Sequence, residues 1–184
     1  MIDVILGDVA ISSIIKRGMV EGENLEQLIN PASLNIRLGD TFLSPCGGKV
    51  IILGESVEYD RCKVGENTRE PWFTLFPGDF VLGTTLERLN LPDRVSAFVQ
   101  GRSSIGRIGL TIQNAGFVDP GFHGHITLEL INDSPNPIFL KPGYPIGQLV
   151  FFETSEVAKP YDGKYNGQVE ATGSRMYLDT MKGV

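Results

Sequence analysis

His125-Ile126-Thr127-Leu128-Glu129-Leu130 alternates strictly between polar and apolar side chains. A period of two is that of a β-strand, so Ile126, Leu128 and Leu130 take one face and His125, Thr127 and Glu129 the other. The pattern predicts a strand over His125–Asn132, with a core face and a polar face that carries a carboxylate. At about 3.4 Å per residue, Thr127 lies roughly 7 Å from Glu129 along such a strand and His125 roughly 14 Å, so Thr127 is the neighbour. A carboxylate flanked by apolar residues invites burial, which raises its pKa towards the range of general acid/base chemistry near neutral pH. A structural ion pair explains the same pattern.

Outward from this stretch the chain continues in short β-branched runs separated by Gly, Pro, Asn and Asp. Further strands are expected at Ser33–Leu38, Lys49–Leu53, Trp72–Leu75, Phe80–Leu86, Val95–Gln100, Leu110–Gln113, Ile138–Leu140 and Gln148–Thr154. Many short strands at close spacing imply a sandwich or barrel. Pro77-Gly78, Pro120-Gly121 and Pro142-Gly143 each suit a tight turn, proline fixing φ and glycine supplying φ > 0. Ahead of the β-region, Asp8 as N-cap, apolar residues at helical spacing, Lys16-Arg17 and Gly18 predict one short helix. A second helical turn is expected over Asn24–Ile29. From Ser155 the chain is polar and glycine-rich, and such a tail either frays or folds over a ligand. The expected organisation is one domain over 1–184, with an N-terminal helical segment over 1–30 and a C-terminal tail or lid over 155–184.

The formal charge of −6 argues against a non-specific nucleic-acid binder, which needs a basic patch against phosphate. An anionic ligand therefore has to be held by a few locally concentrated cations. Cys46 and Cys62 stand far apart, with neither metal spacing nor a disulfide framework, as expected of reduced thiols in a cytoplasmic protein. No run of apolar residues is long enough to span a membrane, and no secretory leader is evident.

Gly101-Arg102-Ser103-Ser104-Ile105-Gly106-Arg107 combines two guanidinium groups, two hydroxyls and glycines directly after an expected strand. Arginine forks and backbone N–H groups freed by glycine suit a triphosphate, and a solvated turn into a short helix suits the same residues. Asn114-Ala115-Gly116-Phe117-Val118-Asp119-Pro120-Gly121-Phe122 sets a carboxylate beside a proline turn. Asp119 there is either a sugar-hydroxyl or water contact or simply a turn former. His123-Gly124-His125 is a weak metal signal, and the chain lacks the later Pro-Cys-x-x-Cys with which zinc-dependent nucleobase deaminases complete their ligand set.

Taken together, Gly101-Arg102-Ser103-Ser104 with Arg107 and Gly109-Leu110, then Ala115–Phe122, then Ile126–Leu130, then Gly147-Gln148-Leu149, resemble the dCTP deaminase branch of the dUTPase superfamily. Pro31–Gly39 resembles the family's N-terminal signature and Tyr161–Gln168 its C-terminal lid. The resemblance runs from about Pro31 to Arg175. It implies a mainly β fold, a distorted barrel or jelly roll with a short N-terminal helix and a C-terminal lid, assembled as a homotrimer with sites between subunits.

The same resemblance implies hydrolytic deamination of dCTP without zinc. Arg102, Ser103, Ser104, Ile105, Gly106 and Arg107 would form the triphosphate loop, and Asp119 would contact the deoxyribose 3′-hydroxyl. Thr127, Leu128 and Glu129 would read the base, with Glu129 activating the water that attacks C4 and passing its proton onward. Ser103, Arg107 and the Ala115 carbonyl would position that water and the glutamate. Gln148, Tyr161, Lys164 and Gln168 would close over the nucleotide, with Mg²⁺ on its phosphates. Gly116-Phe117 after Ala115 resembles the bifunctional branch, which also cleaves the triphosphate to give dUMP and pyrophosphate. Members that only deaminate carry bulkier polar residues there. One departure is Gln113-Asn114-Ala115, a residue shorter than the matching stretch of many members. The expected partners are dCTP and dUTP, with dTTP as an inhibitor, and neither nucleic acid nor membrane. Alternatives are a deaminase that stops at dUTP, a plain dUTPase, and a nucleotide-binding trimer without catalysis. A plain dUTPase usually carries a phenylalanine in its glycine-rich tail, and this tail has none.

Overall fold

The computed structural model describes residues 5–113 and 116–179. In chain order the elements are α1 (Asp8–Lys16), β1 (Val20–Glu21), β2 (Ile29–Asn30), β3 (Ser33–Arg37), β4 (Thr41–Pro45), β5 (Tyr59–Lys63), β6 (Phe73–Leu75), β7 (Phe80–Asn90) and β8 (Val95–Gly101). Then follow α2 (Ser103–Gly106), β9 (Leu110–Gln113), β10 (Phe117–Val118), β11 (His123–Asn132), β12 (Ile138–Leu140) and β13 (Pro145–Glu153). The mainly β architecture with a short N-terminal helix is as expected from the sequence.

One sheet has six strands, ordered β5-β4-β7-β11-β9 with β1 also on β7, and a second runs β10-β8-β13-β3-β2. Their inner faces share a core that includes Leu34, Ile36, Phe42, Leu128, Leu130, Leu149 and Phe151. The helix adds Ile11 and Ile14 to it, the apolar spacing seen in the sequence.

Three local expectations change. The N-cap of α1 is Gly7 rather than Asp8, and the Asp8 carboxylate instead accepts a hydrogen bond from the Val9 amide at 2.8 Å. The second helical turn is a single 3₁₀ turn over Leu25–Leu28. The expected strand at Lys49–Leu53 is an irregular exposed segment, with Val50 and Leu53 87% and 89% exposed, and its β-branched side chains have no neighbouring strand to pair with. The strands on either side of it, β4 and β5, pair with each other.

Strand β11 is held between β7 and β9. Its pairing with β7 shifts between His125 and Thr127, where two additional residues of β7 are accommodated. The bulge is tied down by Thr85, whose hydroxyl accepts from the Ile126 amide at 3.0 Å and donates to the Glu87 carbonyl at 2.8 Å. Bulges re-aim side chains, and this one lies beside Glu87, whose side chain is fully buried. The Arg37 Nε donates to Glu87 Oε1 at 2.7 Å, the Arg37 amide donates to Oε2 at 2.7 Å, and the guanidinium also reaches the Glu23 carbonyl at 2.8 Å.

The tail does not fray within the described residues. Tyr161 donates its amide to the Pro120 carbonyl, Gly167 to His123, and Gln168 brackets His125 with a carbonyl at 2.9 Å and a side-chain amide at 2.6 Å. Two glycines permit this approach. A Cβ on Gly121, which has φ +87° in its Pro-Gly turn, would stand 2.7 Å from Pro160 Cβ, and one on Gly124 would stand 2.8 Å from the Gln168 carbonyl oxygen.

Removing the cation from a buried pair strands a charge, so Arg37→Met should lower unfolding free energy by about 3–5 kcal/mol. Denaturant titration checks this, and a loss below about 1 kcal/mol would contradict the role given to the pair.

Candidate active site

Alternation along β11 is realised as read: Ile126, Leu128, Leu130 and Asn132 are buried, and Thr127 and Glu129 are half-buried. The polar face opens into a cavity of about 420 Å³ that holds Thr127, Glu129, Asp119, Gly116, Phe117, Tyr161 and Gln168. Leu82, the Cα partner of Glu129 on β7, gives this pocket an apolar wall together with Phe80, Val99 and Phe122. Burial among these groups pushes the Glu129 carboxyl above its ordinary value. Among the described residues no cation pairs with Glu129. The ion-pair explanation therefore has no partner among them, and a desolvated carboxylate facing a cavity remains, as acid/base chemistry requires.

Asp119 is exposed at the rim of this cavity, in the turn that enters β11. Leu128 is wholly buried in the core, so only its backbone is available to a ligand. Tyr161 forms the opposite wall from the tail, its ring tilted against Phe122 with centroids 6.1 Å apart. Lys164 is outside this cavity and bonded to Asp179, whose carboxylate raises the pKa of the ammonium. Ala115, assigned a carbonyl role from the sequence, lies outside the described residues.

The phosphate-loop candidates are elsewhere on the chain. Arg102, Ser103, Ser104 and Gly106 line a second cavity of about 610 Å³ together with Gln148, Gln100 and Asn35. Its floor is a polar row across the outer face of the second sheet, because Gln148 is the Cα partner of both Asn35 and Gln100. Arg102 donates to the Pro145 carbonyl at 2.8 Å, while Arg107 is exposed at the end of α2 and Ile105 is buried as its anchor. The two cavities share no residue, and adjacent residues of β8 divide them: Val99 faces the Glu129 cavity and Gln100 the other. Within one chain the structure thus groups Asp119, Thr127, Glu129, Tyr161 and Gln168 in one place, and Arg102–Gly106 with Gln148 in another.

Sequence reasoning missed Tyr59 and placed Tyr165 and Thr172-Gly173-Ser174 only within the tail or lid, without a site role; all of them line the Glu129 cavity. Tyr59 sits on β5, whose Tyr-Asp-Arg-Cys-Lys sequence lacks apolar alternation. Both cysteines are free, and no described helix is long and apolar enough to cross a membrane.

Residues 5–154 match the family described as dCTP deaminase-like. The chain is 44% identical over 177 residues to the protein named dCTP deaminase, dUMP-forming, of Sulfurihydrogenibium sp. (strain YO3AOP1), covering 95% of this chain and 98% of the relative. The protein of the same name in Methanosphaerula palustris is 43% identical over 180 residues, covering 94% and 96%. Among solved structures, the 2′-deoxycytidine 5′-triphosphate deaminase from Agrobacterium tumefaciens superposes with a TM-score of 0.64 at 23% identity, over 82% of this chain and 48% of that one. That likeness shows a shared fold. Matched over most of its length by the family and by curated relatives of nearly its own size, this chain belongs to the dCTP deaminase-like family.

Proposed function

We propose that the protein hydrolyses dCTP to dUTP and ammonia, and then dUTP to dUMP and pyrophosphate. The observation that carries the deaminase reading is Glu129: a half-buried carboxylate with a raised pKa, facing a cavity beside Thr127 and Asp119, with no cation on it among the described residues. Relatives that match 94–95% of the chain are named dCTP deaminase, dUMP-forming, which supports both the substrate and the second step.

In the first step Glu129 takes a proton from water as the oxygen attacks C4 of cytosine. It delivers that proton to the ring nitrogen N3, then takes the proton of the new C4 hydroxyl and passes it to the amine, so that the C4–N bond breaks, the C4 carbonyl forms and ammonia leaves. Thr127 and the backbone of Leu128 fix the base, Asp119 accepts from the 3′-hydroxyl, and Tyr161 and Gln168 close the cavity around them. In the second step water attacks the α-phosphorus and pyrophosphate departs. We assign to Asp119 the proton of that water, with Gly116 and Phe117 leaving the room the step needs, and Mg²⁺ on the phosphates would supply charge stabilisation there. Mg²⁺ would enter with the nucleotide and be held by its phosphates.

The triphosphate is assigned to Arg102, Ser103, Ser104, Ile105, Gly106 and Arg107, with Gln148 beside them and Lys164 joining after exchanging Asp179 for phosphate. Since these groups and Glu129 stand in separate cavities, we assign a site completed between neighbouring subunits of a homotrimer, where Ser103 and Arg107 of one subunit reach the attacking water and the phosphates at the mouth of the next subunit's Glu129 cavity. dTTP, with the same sugar and triphosphate, is the expected competitor. Two free thiols suit a reducing compartment, the cytoplasm.

Incubation with dCTP and Mg²⁺ should release ammonia together with dUMP and pyrophosphate. Absence of ammonia would refute the deaminase, and dUTP as the only nucleotide product would refute the second step. Glu129→Gln should lose deamination by about 10²-fold or more while still binding nucleotide, and its unfolding midpoint at neutral pH should equal or exceed that of the parent, because a desolvated charge is removed.

The sign of the pH dependence follows from the carboxylate being the active form. A raised pKa means the base is protonated at a higher pH than an exposed glutamate would be. Log kcat/KM for dCTP should therefore begin to fall, as pH is lowered, above the ordinary glutamate range. An acid limb at or below that range would contradict the desolvated base.

A further inference from the structure

The tail reaches the Glu129 cavity without forming a strand ladder there. Three of its amides end instead on side-chain oxygens: Thr172 donates to the Thr127 hydroxyl at 3.1 Å, Ser174 to the Tyr59 hydroxyl at 3.1 Å, and Arg175 to the Tyr165 hydroxyl at 3.0 Å. Tyr165 belongs to the tail itself, and Thr127 belongs to the base-reading face. Tyr59 is therefore the hydroxyl that β5 offers to this end of the tail.

Its position is built in three ways. Tyr59 begins β5, the edge strand of the six-stranded sheet, and is paired with Pro45 of β4. Gly173 lies against the Tyr59 ring so closely that a Cβ there would stand 2.5 Å from Cε2. Two residues along the same face of the strand, Arg61 grips the tail carboxylate of Glu170 at 2.8 Å. The Tyr59 ring also lines the cavity that contains Glu129 and Asp119.

We propose that Tyr59 is a positioning residue for the reaction: its ring and hydroxyl hold the Gly173-Ser174 turn over the Glu129 cavity, and turnover depends on that hold. Side-chain tethers of this kind release one at a time, so the segment opens for nucleotide entry without disturbing β11. Closure matters because a lid that excludes bulk water preserves the desolvation of the base and keeps the attacking water in place. Arg61, an exposed ion pair, adds less than the tyrosine does.

The inference rests on the deaminase reading, and the experiment separates the two. Amide hydrogen exchange of residues 170–175 is measured without nucleotide, and kcat and KM for dCTP with Mg²⁺ are measured on the same preparations of the parent, Tyr59→Phe, Tyr59→Ala and Gly173→Ala. Loss of one neutral hydrogen bond changes a closed-to-open ratio roughly fivefold to tenfold, so Tyr59→Phe should exchange faster at Ser174 by about that factor. Its kcat should fall severalfold with an unchanged melting temperature. Tyr59→Ala, which also loses the ring, and Gly173→Ala, which pushes the turn off it, should show larger effects in both readouts. Parent-like exchange in Tyr59→Phe and Gly173→Ala would overturn the proposal, and so would faster exchange with parent-like kcat and KM, or a lower kcat with parent-like exchange. A parent protein that releases no ammonia refutes the deaminase instead, and the exchange rates still decide whether Tyr59 holds the turn.

Discussion

The register of β11 is the constraint on which the rest depends. With a side-chain period of two, the same ten residues put Leu128 and Leu130 in the core, fully buried, and Thr127 and Glu129 in the cavity. Burial of each leucine is worth about 1.5–3 kcal/mol. A slip of one residue would expose both and drive the carboxylate into the core, so the register that builds the fold also aims the site. It is fixed from both sides by β7 and β9, and at one point by the Thr85 hydroxyl on the Ile126 amide. The half-burial of Glu129 follows from that anchoring. The pKa rise is a cost that the apolar face of the same strand offsets.

The bulge beside Ile126 has a second consequence. By absorbing additional residues in β7 it sets Glu87 inward, where Arg37 from the second sheet meets it with a side-chain and a backbone donor. One irregularity thus joins the two sheets through a buried ion pair and fixes the strand that carries the base. The tail follows the same strand, since the Gly167 and Gln168 contacts fall at His123 and His125 respectively, directly ahead of Thr127.

Much of this was legible in the sequence because it depends on local pattern. Alternation at 125–130 located the core face, the site face and Glu129, and Pro120-Gly121 marked the turn that sets Asp119 at the rim. Other features depend on distant partners. Val50-Ile51-Ile52-Leu53 has strand composition but no strand to pair with, whereas Tyr59–Lys63 has little alternation and pairs with β4. Tyr59 was invisible for that reason, since its role exists only once Gly173 and Ser174 return to it from more than a hundred residues away. Nor did the motif order along the chain reveal that Arg102–Gly106 and Glu129 face different cavities, because neighbouring residues of β8 point to opposite sides of the sheet.

A nucleotide whose base lies against Glu129 and whose phosphates lie on the α2 loop needs two chains, and the polar row Asn35–Gln148–Gln100 on the outer face is the surface on which the second would complete it. Arg107 is exposed and so is replaceable without loss of the core. The decisive measurement is ammonia release from dCTP by oligomers assembled from Glu129→Gln and Arg107→Ala chains, each inactive alone. Random mixing should restore about one quarter of the parental activity if each site draws on two subunits. Mixtures no more active than the better variant by itself would place both residues in the site of a single chain and contradict the account.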